Sequence, residues 1–428
     1  MYKYTIKFLA LTDTITFDVS SENFDFIDNF VKELLFIFAR VDEENRKITV
    51  ESYQQNSVET VQKITDFTNK YNKGIPQLNA VPAFFRKLKA DEHFFFLPNI
   101  KLELIEKLQL YDYLRATSEG KNVDEIHGQT KELFESFIQK YEISVIGDKR
   151  INIGEPLKEK RVCRFCGNKA DKVTFNNKAH AISEGLGNKT AVLFEECDTC
   201  NTRFSQTIEP DIIQYLGLFR TIYDIKGKGG SKQFRGENFD LKKDENVTLS
   251  FHSLDDRPEF GMPYNLKLET KDPITLQNIY KCLCKFFLSV IPTEKLQYFS
   301  GTLDWINGKA EITQLPKVAE MISYHAFAIQ PKMVIYFRKD DDKQLPSAIG
   351  EFYFTCKIFS FIIPLTNQDD KDFTTEKDFE YFWQTFLHYK NSRGWAFLDY
   401  SNNKPRKFIM NLNFEQRDKS EDETKDEK

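Results

Sequence analysis

The chain has 428 residues, is 40% hydrophobic and 29% charged, and carries a formal net charge of −5. This is ordinary soluble globular composition with length for two or three cores. The acidic balance excludes a polycation, so a nucleic-acid role needs a local basic patch. No apolar run reaches the roughly 20 residues of a membrane span, and the opening MYKYTIKFLALTDTITF is a strand pattern broken at Asp13, not a signal peptide.

Residues 1–157 read as an N-terminal α+β domain, regulatory or partner-binding. Tyr4–Leu9 and Thr14–Val19 alternate as a hairpin around Thr12-Asp13. Phe26, Phe30, Leu34, Leu35 and Phe38 then recur at helical spacing after an Asn/Asp-rich start that can cap. Lys47–Tyr53 reads as a strand, Val58–Tyr71 as a helix, and Phe94–Phe96 as a short buried strand stopped by Pro98. Leu102–Leu114 and Glu132–Tyr141 read as further helices. Phenylalanine is abundant, at 40 residues. Large aromatic cores account for it more simply than a base-stacking surface does. His93 and His127 have no spaced partners and are expected to be incidental. The polar stretch 147–161, with Gly154 and Pro156, reads as a linker.

The segment 158–235 differs from its surroundings. It holds 14 Lys/Arg against 9 Asp/Glu, a basic excess inside an acidic chain, where a phosphate backbone would pass. Ile225-Lys-Gly-Lys-Gly-Gly-Ser-Lys brings glycines and lysines together. Such a loop can present N–H groups and ammonium charges to an anion, or serve as a flexible connector; it lacks nucleotide-loop spacing. Residues 236–415 read as a C-terminal α+β domain. Its expected elements are strands at 246–251, 265–269, 334–338 and 349–365, an apolar helix Ile274–Val290, and an aromatic amphipathic helix Asp378–Tyr389. His252, His325 and His388 are scattered through it and expected to be structural. The tail 416–428 reads as acidic and disordered.

The chemistry lies in Cys163–Phe204. Cys163/Cys166 and Cys197/Cys200 form two Cys-x-x-Cys knuckles around a 30-residue insert. Two such pairs supply the four ligands of a tetrahedral structural zinc ion. Cys282, Cys284 and Cys356 lie in apolar runs and are expected to be buried thiols. Metal-type spacing makes a reducing cytoplasm the natural setting. Within the insert, His180 lies in a strand-like stretch, Thr174–Ile182. Gly185-Leu-Gly-Asn turns the chain into a second strand, Thr190–Phe194. Asn201 follows the last cysteine and opens a helical run, Thr202–Leu216. Phosphodiester hydrolysis needs a base for water and a divalent cation on the phosphate oxygens. A neutral histidine suits the first task, and an asparagine oxygen can join Mg2+, which keeps several waters.

This stretch resembles an HNH (ββα-metal) endonuclease with two zinc knuckles. The carriers are His-x-Ile-x-Glu-x-Leu-Gly-Asn from His180 and the closing Cys-x-x-Cys-Asn-x-x-Phe, similar to nucleases of bacterial anti-phage systems. The resemblance implies a multidomain α+β chain, with a central zinc-braced ββα-metal, treble-clef-like module between two α+β domains. It implies His180 as general base and Asn201 as metal ligand, with structural Zn2+ and catalytic Mg2+ or Mn2+. It also implies DNA rather than RNA as substrate. Two positions depart from the family pattern. Ala179 stands where an acid commonly precedes the base, leaving Glu184 and Glu209 as the nearest replacements on the catalytic cation. The second strand lacks its usual Asn, leaving Asn188, earlier in the chain, and a backbone carbonyl as the expected orienter of His180. The flanking domains are expected to restrain the nuclease through a regulatory protein or a second copy of the chain. The competing expectation is a zinc ribbon that binds nucleic acid or protein without catalysis.

Overall fold

The computed structural model describes residues 2–42, 47–100, 102, 104–147, 150–227, 233–252, 264–323, 328–385 and 394–414. His325, His388, the Lys228–Lys232 part of the glycine–lysine stretch and the tail 416–428 lie outside them. Contacts divide the chain once, into Met1–Ile138 and Gln139–Lys428. Both are mixed α+β.

The first unit comprises β1 (Tyr2–Ala10), β2 (Thr14–Ser21), α1 (Phe24–Ile37), β3 (Ala39–Asp42), β4 (Lys47–Val50), β5 (Tyr53–Gln55), α2 (Val58–Tyr71), α3 (Ala80–Lys87), β6 (His93–Pro98), α4 (Leu104–Glu119) and α5 (Val123–Lys140). Its main sheet has the order β2-β1-β6-β5. The β1–β2 hairpin turns where the alternation breaks, with Leu9 opposite Thr14. Asn23 caps α1 by accepting from the Phe26 N–H at 3.2 Å, and Ser57 caps α2 through Thr60 at 3.1 Å. The core is largely phenylalanine: Phe8 stacks on Phe96 with centroids 5.3 Å apart, and Phe38 lies 4.2 Å from Phe96. Much of the phenylalanine of this unit is thus in its core, though Phe24 and Phe36 are exposed. His127 is tied to Asp112 at 3.1 Å, and His93 stacks on Tyr53.

The second unit continues with β7 (Tyr141–Ile146), β8 (Ile151–Ile153), β9 (Ala179–His180), β10 (Ala191–Leu193), α6 (Asp198–Thr207), α7 (Glu209–Tyr215) and α8 (Gly217–Ile222). After these come β11 (Phe234–Arg235), β12 (Phe239–Lys243), β13 (Val247–Phe251), β14 (Tyr264–Glu269), α9 (Leu276–Val290) and α10 (Ser300–Ile306). The last elements are β15 (Val318–Ile322), β16 (Ala328–Arg338), β17 (Ala348–Thr355), β18 (Lys357–Ile362), α11 (Glu376–Thr385), β19 (Ala396–Leu398) and β20 (Ile409–Phe414). A six-stranded sheet runs β19-β15-β18-β17-β16-β7, and smaller sheets run β8-β10-β9, β11-β12-β13 and β14-β20.

The boundaries expected near 157 and 235 are not where the contacts divide the chain. The cysteine segment shares one apolar core with α9 and the large sheet. Every residue of α9 except Asn278 and Lys281 is buried. The cysteine segment holds this helix at both ends. Asp211 accepts from the Thr275 N–H at 3.2 Å and from the Asn278 amide at 2.8 Å. At the other end Arg164 donates to the carbonyls of Leu288 at 3.1 Å and Ile291 at 2.7 Å, satisfying groups the helix leaves unpaired. Residues 151–153, expected in a linker, form β8 because β10 has a second free edge: Ala191 pairs with Ile151 in parallel. Cys282, Cys284 and Cys356 are buried, as expected. No described helix is long and apolar enough to cross a membrane.

Candidate metal centre and the adjoining histidine site

The four knuckle cysteines converge. Their Sγ atoms all lie within 4.8 Å of one another, and those of Cys166 and Cys197 are 3.8 Å apart. Thiolates held tetrahedrally at a Zn–S distance of about 2.3 Å stand roughly 3.8 Å apart, so the donor set fits zinc. Cys163 is held low, at about 5, chiefly by a hydrogen bond from Cys200. Cys197 is pushed up to about 12 by burial, with the Cys163 charge adding to the effect. Four thiolates this close need a cation among them. These cysteines can therefore hold a metal ion such as zinc. Among the described residues they form the one cluster of three or more His, Cys, Asp or Glu donors that close together.

The expected long hairpin is short. β9 is only Ala179–His180, with His180 opposite Val192 on β10. Thr174–Lys178 is instead wrapped around Asp198, whose carboxylate accepts from the Asn176 N–H at 3.0 Å, the Asn177 N–H at 2.8 Å and the Thr174 hydroxyl. A side chain at the head of α6 takes the backbone bonds that a strand would have used. The helix also begins earlier than expected, at Asp198, so Asn201 lies within α6 and not at its start. Asn201 is half-buried.

His180 is mostly buried, its side chain 12% exposed. Nε2 lies 3.8 Å from the half-exposed Glu184 carboxylate. Burial lowers the imidazole pKa and Glu184 opposes the shift, so the ring is neutral near pH 7. Nδ1 is buried without a hydrogen-bond partner, so the expected backbone-carbonyl orienter is not present there. Glu184 opens the turn Glu184–Leu186, which Gly187 closes at φ 80°. A side chain at Gly187 would be strained there and would meet Ile225 Cγ2 at 2.6 Å. Gly227, at the start of the glycine–lysine stretch, lies against the same turn: a Cβ there would sit 3.1 Å from the Glu184 carbonyl.

Asn188, a candidate catalytic residue from sequence, has a different place. It is fully buried. Its amide donates to the carbonyls of Ile182 at 2.8 Å and Ala191 at 3.0 Å, and its oxygen accepts from the N–H groups of Thr190 and Ala191 at 3.0 Å. Both donors and the acceptor are engaged by backbone, so Asn188 clamps the connection between β9 and β10. Glu209 opens α7, buried, and lends its charge to the His180 environment. One of its oxygens is already paired with Lys285 at 3.2 Å.

Lys285 is the residue the motif reading missed. It projects from α9 with a fully buried side chain. Its ammonium lies 3.1 Å from Glu196, 3.2 Å from Glu209 and 3.4 Å from the His180 carbonyl. Burial pulls Lys285 down, but the two carboxylates more than offset it and hold the amine charged. Glu196, next to Cys197, is fully buried and pushed up to about 7 by burial, with Lys285 opposing. The sequence did carry a signal: a lysine in the middle of the apolar run CLCKFFLSV needs a buried acid. His252 is engaged by Asp240 at 3.0 Å and by the Glu237 carbonyl. No family model matches this chain, and neither the curated proteins nor the solved structures contain a match to it.

Proposed function

We propose that the protein is a metal-dependent endonuclease of the HNH type that hydrolyses DNA phosphodiester bonds, a regulated effector of the kind bacteria direct against phage. The observation that carries this reading is the short β9–β10 hairpin, braced by a four-cysteine centre and followed by α6. It presents a neutral His180 beside the half-exposed Glu184. In this reading His180 takes the proton of the attacking water. Glu184 and Asn201 supply oxygens to Mg2+ or Mn2+, which polarises the phosphate and stabilises the leaving oxygen when bound. Glu209 acts from behind, its charge shared with Lys285. The basic segment 158–235 supplies phosphate contacts, and Lys226–Gly227 runs beside the Glu184 turn.

A second reading has its own observation. The buried Nδ1 of His180 lacks a partner, and the cysteines form the one close donor cluster among the described residues. A zinc-braced module that binds nucleic acid without cutting it would look the same.

Incubation of the full chain with plasmid DNA and Mg2+, Mn2+ or EDTA separates the two. The nuclease reading expects nicking in the divalent ions, none in EDTA, and a loss of at least about 100-fold in His180→Ala. Cleavage that survives His180→Ala removes the base assignment. DNA retention without cleavage, unchanged by His180→Ala, selects the binding module. Metal analysis finding no zinc in the wild type, or full zinc in Cys163→Ser, removes the four-cysteine centre.

A further inference from the structure

We propose that Lys285 is the positioning residue of the His180 site. Its ammonium fixes the histidine strand from a helix 105 positions further along the chain. An ammonium has three N–H donors and no acceptor. Here two oxygens accept from it, the His180 carbonyl on β9 at 3.4 Å and Glu209 at the start of α7 at 3.2 Å, and Glu196, ahead of the second knuckle, is ion-paired with it at 3.1 Å. The lysine joins the histidine strand to α7 by hydrogen bonds and reaches the residue before Cys197 by an ion pair. It has no exposure through which to touch a substrate. The rings of Phe165, Phe204 and Phe286 lie around it at 5.8–5.9 Å from their centroids.

Stability alone does not explain such a group. Buried ion clusters are often replaced by apolar side chains without loss, because desolvation offsets the attraction. Apolar packing is already supplied by the rest of α9. What an apolar residue could not supply is a donor for the His180 carbonyl, a hold on β9 from α9 in addition to its pairing with β10. Nδ1 of the imidazole has no hydrogen-bond partner, so the ring is placed through its backbone and its packing.

This inference rests on His180 being the functional group, and its test separates the two claims. Two variants are needed: Lys285→Met, which strands two buried acids, and Lys285→Met with Glu196→Gln and Glu209→Gln, which removes their charge. Each is assayed for zinc content, for the His180 ring signals in a proton–carbon spectrum assigned with His180→Ala, and for plasmid cleavage. The triple variant is expected to retain zinc, to show shifted or broadened His180 signals, and to cut roughly 10- to 100-fold more slowly, as loss of outer-shell partners does. A triple variant with zinc, unchanged ring signals and wild-type cleavage overturns the proposal. So does failure of both variants to hold zinc, which makes the role structural. If the wild type does not cut but the ring signals shift, the nuclease reading fails and the positioning role stands.

Discussion

Asn188 shows how a side chain's type can suggest one role and its surroundings another. An amide between a histidine strand and a cysteine knuckle reads as catalytic. Buried, with both amide protons on carbonyls and its oxygen on two N–H groups, it is a bracket for the hairpin connection. Asn188→Ala would leave several buried backbone groups unpaired. We expect a stability loss of about 2–3 kcal/mol, read from urea unfolding at constant zinc occupancy. A loss below about 0.5 kcal/mol would mean that water replaces the amide without difficulty. His180 is the opposite case: burial and Glu184 act on the ring in opposite directions, and burial prevails, lowering the imidazole pKa.

At the scale of elements, α9 and the sheet beneath it each bury an ionisable group. On β17, Glu351 is fully buried between the hydroxyls of Tyr336 at 2.8 Å and Tyr353 at 2.9 Å. Burial pushes its carboxyl from 4.5 up to about 7, the two hydroxyls opposing. Between those values the folded protein keeps a proton that the unfolded chain has released. Stability therefore falls as pH rises through this window, and the penalty is complete above about 7. Glu351→Gln removes the titration. Its Tm relative to wild type should rise by several degrees between pH 5 and pH 8, measured on zinc-loaded protein in matched buffers. A constant difference across that range would show that Glu351 titrates normally. α9 has another logic: Asp211 and Arg164 hold its ends and Lys285 its middle, all from the cysteine segment or toward it.

For the whole molecule, the division at Ile138/Gln139 and the shared core of the remainder predict how the chain comes apart. A fragment of residues 1–138 has its own sheet and phenylalanine core and should melt cooperatively by itself. A fragment of residues 158–235 should not fold even with zinc. It loses α9, and with it the partners of Arg164, Glu196, Glu209 and Asp211. In the full chain, a strong chelator should lower the melting transition of the larger unit and leave that of the smaller one in place, since metal binding contributes folding free energy only where the ligands are. A single transition moved as a block by chelation would contradict the division.

The sequence by itself determined what is local. Knuckle spacing picked out the four cysteines that come together and can hold a metal ion, because two Cys-x-x-Cys turns make up a tetrahedral set. Helical period with a capping start placed α1, and apolar pattern placed α2 and α9, within a few residues; the apolar setting of Cys282, Cys284 and Cys356 foretold their burial. The tertiary structure decided whatever depends on partners distant in the chain. It made Thr174–Lys178 a loop around Asp198, turned an expected linker into β8, and engaged the Asn188 amide with backbone carbonyls. It also brought Lys285 under His180. The reason is physical: hydrogen-bond capacity and buried charge are satisfied by whichever groups arrive in space, and sequence spacing does not fix that over 105 positions.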